Sequence, residues 1–106
     1  MLDIEVFIEK IKKKSRLMGI DPGGRRIGIA ISDENKIVAT PYTTIIRENY
    51  TDLMTQIKNI VKDHQIEGIV VGNPINMDGS EWPSSQSAKD LAKNLSKDVS
   101  ENITLW

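Results

Sequence analysis

The run Glu-Gly-Ile-Val-Val-Gly at residues 67–72 constrains the fold most. It is continuously apolar and β-branched at its centre, which is typical of a strand buried on both faces of a helix-covered parallel sheet. Residues 50–63 precede it with an apolar stripe at helical spacing, capped by Asn49 or Thr51. Residues 84–97 follow it with a second stripe, and residues 102–106 look like one more strand. This order predicts two αβ units.

The N-terminal half predicts an antiparallel meander. Strand-like runs at residues 16–21, 26–33 and 37–46 are separated by short turns. In the second run, isoleucines alternate with Gly28, Ala30 and Ser32, so one face carries bulk and the other admits close approach. Pro41 marks an edge or a bend in the third run. Together these elements predict an α/β fold whose mixed sheet has helices on both faces.

An amphipathic helix over residues 3–14 is expected before this domain, with Asp3 as its N-cap. Its apolar stripe is Ile4, Phe7, Ile8 and Ile11. The lysines at 12–14 are expected in its last turn, as a solvated helix end. We therefore divide the chain into a helical extension, residues 1–15, and a domain, residues 16–106.

Composition excludes several kinds of site. The 106 residues contain no cysteine and one histidine, His64, which rules out disulfides and cysteine-ligated zinc. His64 is expected to end a helix. The net charge is −1, so nucleic-acid binding would need a local basic patch. No apolar run approaches the roughly 20 residues of a membrane span, and no signal-peptide pattern opens the chain, so we expect a soluble cytoplasmic protein.

The first candidate site is the stretch of residues 19–28. Asp21 ends a buried strand, and the glycines after it allow a tight turn and a close approach to phosphate or metal. A carboxylate there suits Mg²⁺, which prefers oxygen ligands. Arg25 and Arg26 could neutralise phosphate. The stretch lacks the Gly-Lys-Ser/Thr of a Walker A loop, and a plain hairpin with an exposed aspartate is the alternative.

The second candidate site is the loop that follows residue 72, with Asn76, Asp78 and Gly79. Ligands of open α/β sheets collect at the carboxyl ends of the strands. A plain connecting loop is the alternative.

Both candidate sites carry motifs of one family. Residues 18–33 read Met-Gly-Ile-Asp-Pro-Gly-Gly-Arg-Arg-Ile-Gly-Ile-Ala-Ile-Ser-Asp, and residues 69–80 read Ile-Val-Val-Gly-Asn-Pro-Ile-Asn-Met-Asp-Gly-Ser. These motifs resemble the YqgF family, whose members are similar to Holliday junction resolvases and are linked to 5′-end processing of pre-16S ribosomal RNA. The resemblance covers about residues 17–106 and leaves the opening helix outside.

The resemblance implies an RNase-H-like fold and a nuclease that uses Mg²⁺ or Mn²⁺. Asp21 matches the family's first-strand acidic residue, which is catalytic and a metal ligand. Gly23 and Arg26 match the hairpin beside it, and Asn76 and Asp78 match the loop. The implied partner is nucleic acid, either pre-rRNA or branched DNA.

Two departures from the family pattern leave alternatives open. Pro22 stands where the family usually has an aromatic or aliphatic residue, which is a mild change. The family also places an aspartate-glutamate-arginine segment after the strand that ends here at Trp106, followed by a helix with a further aspartate. We therefore expect weak metal binding and weak or absent cleavage by these 106 residues, and self-association through a less covered sheet face. A non-catalytic domain that binds nucleic acid or the ribosome is the main alternative, and a phosphotransferase is a more distant one.

Overall fold

A computed structural model describes residues 2–11, 14–23, 25–36, 38–72, 84–99 and 102–106. It contains helices α1 (Ile4–Lys10), α2 (Tyr50–Asp63) and α3 (Ser84–Asp98), and strands β1 (Arg16–Pro22), β2 (Arg26–Ser32), β3 (Ala39–Ile46), β4 (Ile66–Val71) and β5 (Ile103–Leu105). These elements follow the predicted order, with boundaries that differ by a few residues.

The strands form one mixed sheet in the order β3-β2-β1-β4-β5. β1, β2 and β3 pair antiparallel, and β4 and β5 run parallel to β1. The predicted meander and two αβ units are therefore confirmed. Within the described residues β3 lies at an edge of the sheet, and Pro41 lies where the β2–β3 register shifts, as its strand-breaking chemistry predicts.

The hydrophobic core fills one face of the sheet. We call this the helix face, because α2 and α3 pack on it. The isoleucines of β2 that were predicted to carry the bulk, Ile27 and Ile29, are buried there beside Ile57 and Leu95 of the two helices. Alternate residues of a strand point to opposite faces, so the small residues of β2 lie on the other side of the sheet.

The second face, which we call the open face, is covered in part by α1. An added Cβ at Gly68 of β4 would lie 2.7 Å from the Phe7 ring and 2.6 Å from Ile11 Cδ1, so α1 packs directly on this glycine. The Leu2 N–H donates to the Ile103 carbonyl oxygen at 2.7 Å and fixes the start of the chain beside β5. Helices therefore cover both faces, as predicted.

The prediction for α1 was wrong in its length and in part of its stripe. The helix ends at Lys10, and Ile11 is extended, with φ −84° and ψ 131°. Lys14 therefore lies beyond the helix, while the lysines at 12 and 13 fall outside the described residues. Phe7 is buried but Ile8 is 64% exposed, because so short a helix presents only a narrow stripe to the sheet. Asp3 occupies the N-cap position but makes no side-chain cap hydrogen bond.

The boundaries of α2 follow the predicted capping chemistry. Asn49, not Thr51, is the N-cap, and its side-chain oxygen accepts from the Asp52 N–H at 2.8 Å. His64 is the C-cap, as expected for a helix-end residue, and its ring meets that of Tyr42 edge-on at 4.7 Å. None of the helices in the described part of the chain is long and apolar enough to cross a membrane.

Candidate active site at the carboxyl ends of the parallel strands

Five residues form a row across the open face, which we call the site row. The pairing register places Asp21 beside Gly28 of β2, and Gly28 beside Thr44 of β3. On the other side, the Gly72 N–H donates to the Ile20 carbonyl oxygen at 2.8 Å, and the Trp106 N–H donates to the Val71 carbonyl oxygen at 2.9 Å. The row is therefore Thr44, Gly28, Asp21, Gly72 and Trp106.

The Asp21 side chain stands between two glycines. An added Cβ at Gly28 would lie 3.6 Å from the Asp21 Cβ, and one at Gly72 would lie 3.5 Å from the Ile20 carbonyl oxygen. Both distances are ordinary van der Waals contacts, so the glycines leave space beside the carboxylate without being required by the backbone. Asp21 is exposed at this rim. A carboxylate with open space on both sides can ligate a cation that keeps part of its water shell.

The turn after β1 requires glycine. The Gly23 N–H donates to the Asp21 carbonyl oxygen at 3.0 Å, which closes a three-residue turn around Pro22. An added Cβ at Gly23 would lie only 2.6 Å from the Arg26 carbonyl oxygen, so a side chain there would push the hairpin apart. The predicted need for a tight turn is therefore met by the geometry at Gly23. Its neighbour Gly24 lies outside the described residues.

The two predicted arginines lie at the same end of the sheet as Asp21. Arg25 and Arg26 are both exposed. The Arg25 carbonyl oxygen accepts from the Arg47 N–H at 2.8 Å, which ties the hairpin to the segment after β3. Arg26 is two residues from Gly28 in β2, so strand alternation places it on the open face. This end of the sheet therefore carries positive charge that an anionic ligand could meet.

A cavity of about 480 Å³ lies over the open face beside Asp21. Its lining includes Gly19, Ala30, Val70 and Trp106, together with Asp21 at its rim. This volume is within the range of about 300–1,000 Å³ that is typical of ligand sites. Sequence reasoning missed Thr44 and Trp106 as site residues. Both residues reach the site through strand pairing, which the local sequence does not show. Thr44 pairs with Gly28 across β2 and β3, and Trp106 follows β5, which runs parallel to β4 and ends beside it.

No other carboxylate completes a metal site with Asp21 within the described residues, which contain no group of three or more metal-ligating side chains. Asp33 lies past the far end of β2, five residues beyond Gly28, or roughly 17 Å at about 3.4 Å per residue. It accepts from the Val38 N–H at 3.0 Å and does not approach Asp21. Asn76, Asp78 and Gly79 fall outside the described residues, in the segment that follows Gly72.

Comparisons with known proteins match nearly the whole chain. The family model described as RuvX: Holliday junction resolvase matches residues 15–106. A relative from Pelagibacter ubique is 46% identical over 106 residues, which are 100% of this chain and 70% of the relative. Relatives from Zymomonas mobilis and Rhodobacter capsulatus are 36% and 40% identical, over 98% and 94% of this chain and 63% of each relative. All three bear the name "Putative pre-16S rRNA nuclease". The chain thus spans about two thirds of the length of these curated relatives.

Solved structures share the fold at low sequence identity. A Bacteroides thetaiotaomicron protein with an actin-like ATPase fold and unknown function aligns with a TM-score of 0.55 and 10% identity, over 96% of this chain and 36% of that one. Archaeoglobus fulgidus Pelota aligns with a TM-score of 0.54 and 7% identity, over 96% of this chain and 28% of that one. These likenesses support the predicted RNase-H-like architecture. The family match over residues 15–106 confirms the resemblance to the YqgF family seen in the motifs, and the chain belongs to this family of RuvX-type Holliday junction resolvases.

Proposed function

We propose that this chain carries the phosphate-binding rim of a metal-dependent nuclease that hydrolyses phosphodiester bonds in the precursor of 16S ribosomal RNA. The observation that carries this proposal is the position of Asp21, exposed at the carboxyl end of β1 between two glycines. The names of the relatives support the choice of substrate. Ligands of open α/β sheets collect at this edge, which supports the choice of site.

In this proposal the residues of the chain have separate roles. Asp21 would be one ligand of a Mg²⁺ or Mn²⁺ ion, because its exposed carboxylate and the space beside it suit a hard cation that retains water. When bound, such an ion activates water and neutralises charge on the phosphate. Arg25 and Arg26 would bind phosphate oxygens near the rim. Gly23 would hold the turn that places the arginines there.

The loop after Gly72 completes the proposal. Asn76, Asp78 and Gly79 belong to the family motif, and we propose that they contact the substrate near Asp21. The hydrogen bond from the Gly72 N–H to the Ile20 carbonyl oxygen supports this assignment, because it fixes the start of the loop next to the end of β1. Self-association through the open face stays a prediction.

The test compares Asp21→Asn with Asp33→Asn. Both changes remove one carboxylate and keep the side-chain size, but Asp33 lies at the far end of β2. Cleavage of a labelled transcript that carries the precursor end of 16S rRNA is measured with Mg²⁺, with Mn²⁺ and with EDTA. We expect slow metal-dependent cleavage by the wild type, in keeping with the weak metal binding predicted from the sequence, no detectable cleavage by Asp21→Asn, and near wild-type activity in Asp33→Asn.

Three outcomes would contradict the proposal. Cleavage that continues in EDTA would exclude the metal, and cleavage that survives Asp21→Asn would exclude the assignment of Asp21. Tight binding of the transcript without any cleavage by the wild type would favour the non-catalytic binding domain instead.

A further inference from the structure

We propose that the cavity on the open face is a subsite for one unpaired nucleobase, with the Trp106 indole as its stacking platform. This inference rests on the proposed function, because it places the base of a nucleotide whose neighbouring phosphate meets the rim at Asp21. It adds a preference for single-stranded or flipped-out nucleotides over duplex, which neither the fold nor the names of the relatives specify.

The part of the cavity floor that lies over β1 and β2 carries little side-chain bulk. Gly19, Gly28 and Gly72 contribute only backbone, and Ala30 contributes a single methyl group. An added Cβ at Gly19 would find no atom within 4 Å, so the space above β1 is open. A flat ring can therefore approach the sheet backbone closely, and the apolar surroundings favour burial of its faces.

One wall of the cavity is aromatic. The Trp106 backbone N–H is bonded to the Val71 carbonyl oxygen at 2.9 Å, so the residue is held in register with β4. Trp106 lines the same cavity as Asp21. An indole beside an apolar floor suits base stacking, which tolerates any base because every base has a π-face.

The separation between Asp21 and Trp106 fits one nucleotide. Neighbouring strands lie about 4.8 Å apart, so Trp106, two strands from Asp21, lies roughly 10 Å away across the row. This separation is of the order of that between the phosphate and the base of a nucleotide, which the ribose bridges.

Charge at the rim is complementary to a nucleic-acid strand. The chain has a net charge of −1, but Arg25 and Arg26 are both exposed at the end of the sheet where Asp21 lies. Phosphates on either side of the stacked base would meet this positive charge. A base within a duplex is stacked on its neighbours and paired along its edge, so only an unpaired base can present its face to the indole.

The experiment measures binding in calcium-containing buffer, without a cleavage readout. Trp106 is made the only indole by Trp82→Phe, since Trp82 is the other tryptophan of the chain. This protein is titrated with a 12-nucleotide single-stranded RNA, the same sequence as single-stranded DNA, and the RNA duplex. We expect quenching of the Trp106 fluorescence by both single strands and little quenching by the duplex.

Matched variants measure the contribution of the indole to affinity. Trp106→Ala is expected to weaken single-strand binding by roughly 5- to 150-fold, the range for loss of one stacked base, and Trp106→Phe by much less. Tyr42→Ala is the control, because Tyr42 is a half-exposed aromatic that contacts His64 and does not line the cavity. Gly19→Val is a second test, since it fills the floor at a position with no protein atom within 4 Å, and it is expected to weaken single-strand binding without loss of folding.

The outcomes separate this inference from the proposed function. Equal affinities of Trp106→Ala and Tyr42→Ala, absence of quenching, or equal losses for single strand and duplex would each overturn the subsite, even if Asp21→Asn abolishes cleavage. Selective loss of single-strand binding in Trp106→Ala and Gly19→Val would support the subsite, even if the wild type fails to cleave. Binding of single-stranded RNA but not DNA would support the subsite and assign it to ribonucleotides.

Discussion

Gly28→Ala is expected to stabilise the protein while impairing its metal-dependent activity. The new methyl group would lie 3.6 Å from the Asp21 Cβ, an ordinary contact that needs no movement of the backbone. Glycine within a strand costs roughly 0.5–1 kcal/mol relative to alanine, so the free energy of unfolding should rise by about that amount. For a domain of this size, that gain corresponds to roughly 2–8 °C in Tm.

The same methyl group would occupy the space beside the carboxylate. Mg²⁺ binds with several of its waters retained, so a ligand carboxylate must be approachable from the side. We expect cleavage to fall by up to about 100-fold, the size of effect that a displacement of about 1 Å produces at a reacting centre. Gly28 can affect the site only through the space beside Asp21, since glycine contributes no functional group.

Thermal unfolding by circular dichroism and cleavage of the precursor transcript are measured on the same preparation. The opposite signs of the two effects are the internal control, because a misfolded variant would lose both stability and activity. A lower Tm would show that the space beside Asp21 is not there. Unchanged cleavage together with a higher Tm would show that the space beside Asp21 is not needed for metal binding. The role proposed here for Gly28 in the site row would then be wrong.

Three further changes test the surrounding structure. Gly68→Ala should cost about 1–3 kcal/mol by displacing the Phe7 ring, and hydrogen exchange should detect the loosened α1, with Phe7→Leu restoring part of the loss. Gly23→Ala should cost a similar amount in denaturant unfolding, because its Cβ would meet a backbone carbonyl oxygen at 2.6 Å. The hydrogen bond from Tyr50 to Asp98 raises the pKa of the tyrosine above 10.0, so its stabilising contribution is complete below pH 10 and is lost as the pH rises through the higher folded value. Tyr50→Phe should therefore remove a step above pH 10 from the tyrosinate absorbance titration and should differ from wild type in stability only below that step.

The sheet and its core could be predicted because their signals are local. The alternation of isoleucine with small residues in β2 indicates a strand and distinguishes its buried face from its open face. Ile27 and Ile29 are buried as that pattern predicts. The helical stripe of α2 and its asparagine cap are likewise contained within a few residues. The position of Asp21 followed from the same logic, since a carboxylate at the end of a buried strand must emerge at the rim.

The parts that could not be predicted depend on contacts between distant segments. The early end of α1 coincides with a contact to a distant strand, because the extended Ile11 packs against Gly68 of β4, and nothing near residue 11 in the sequence signals that glycine. Trp106 enters the site row only because β5, the strand before it, lies beside β4. With three residues, β5 is too short for its sequence to indicate which strand it pairs with. Asp21 and Asp33 both lie at the end of a strand, but only the antiparallel pairing of β1 and β2 shows that these two strand ends are at opposite edges of the sheet.

The site and the core depend on one and the same register. Because side chains alternate with a period of two, a shift of β2 by one residue would turn its isoleucines onto the open face and its small residues into the core. Asp21 would then face a bulky side chain instead of Gly28, and the core would lose Ile27 and Ile29 at once. The burial of Ile27 and Ile29 fixes the register of β2, and the same register places Gly28, with no side chain, beside the Asp21 carboxylate. It follows that substitutions on the helix face of β2 can disturb the site without touching it, whereas Gly28→Ala tests the space alone.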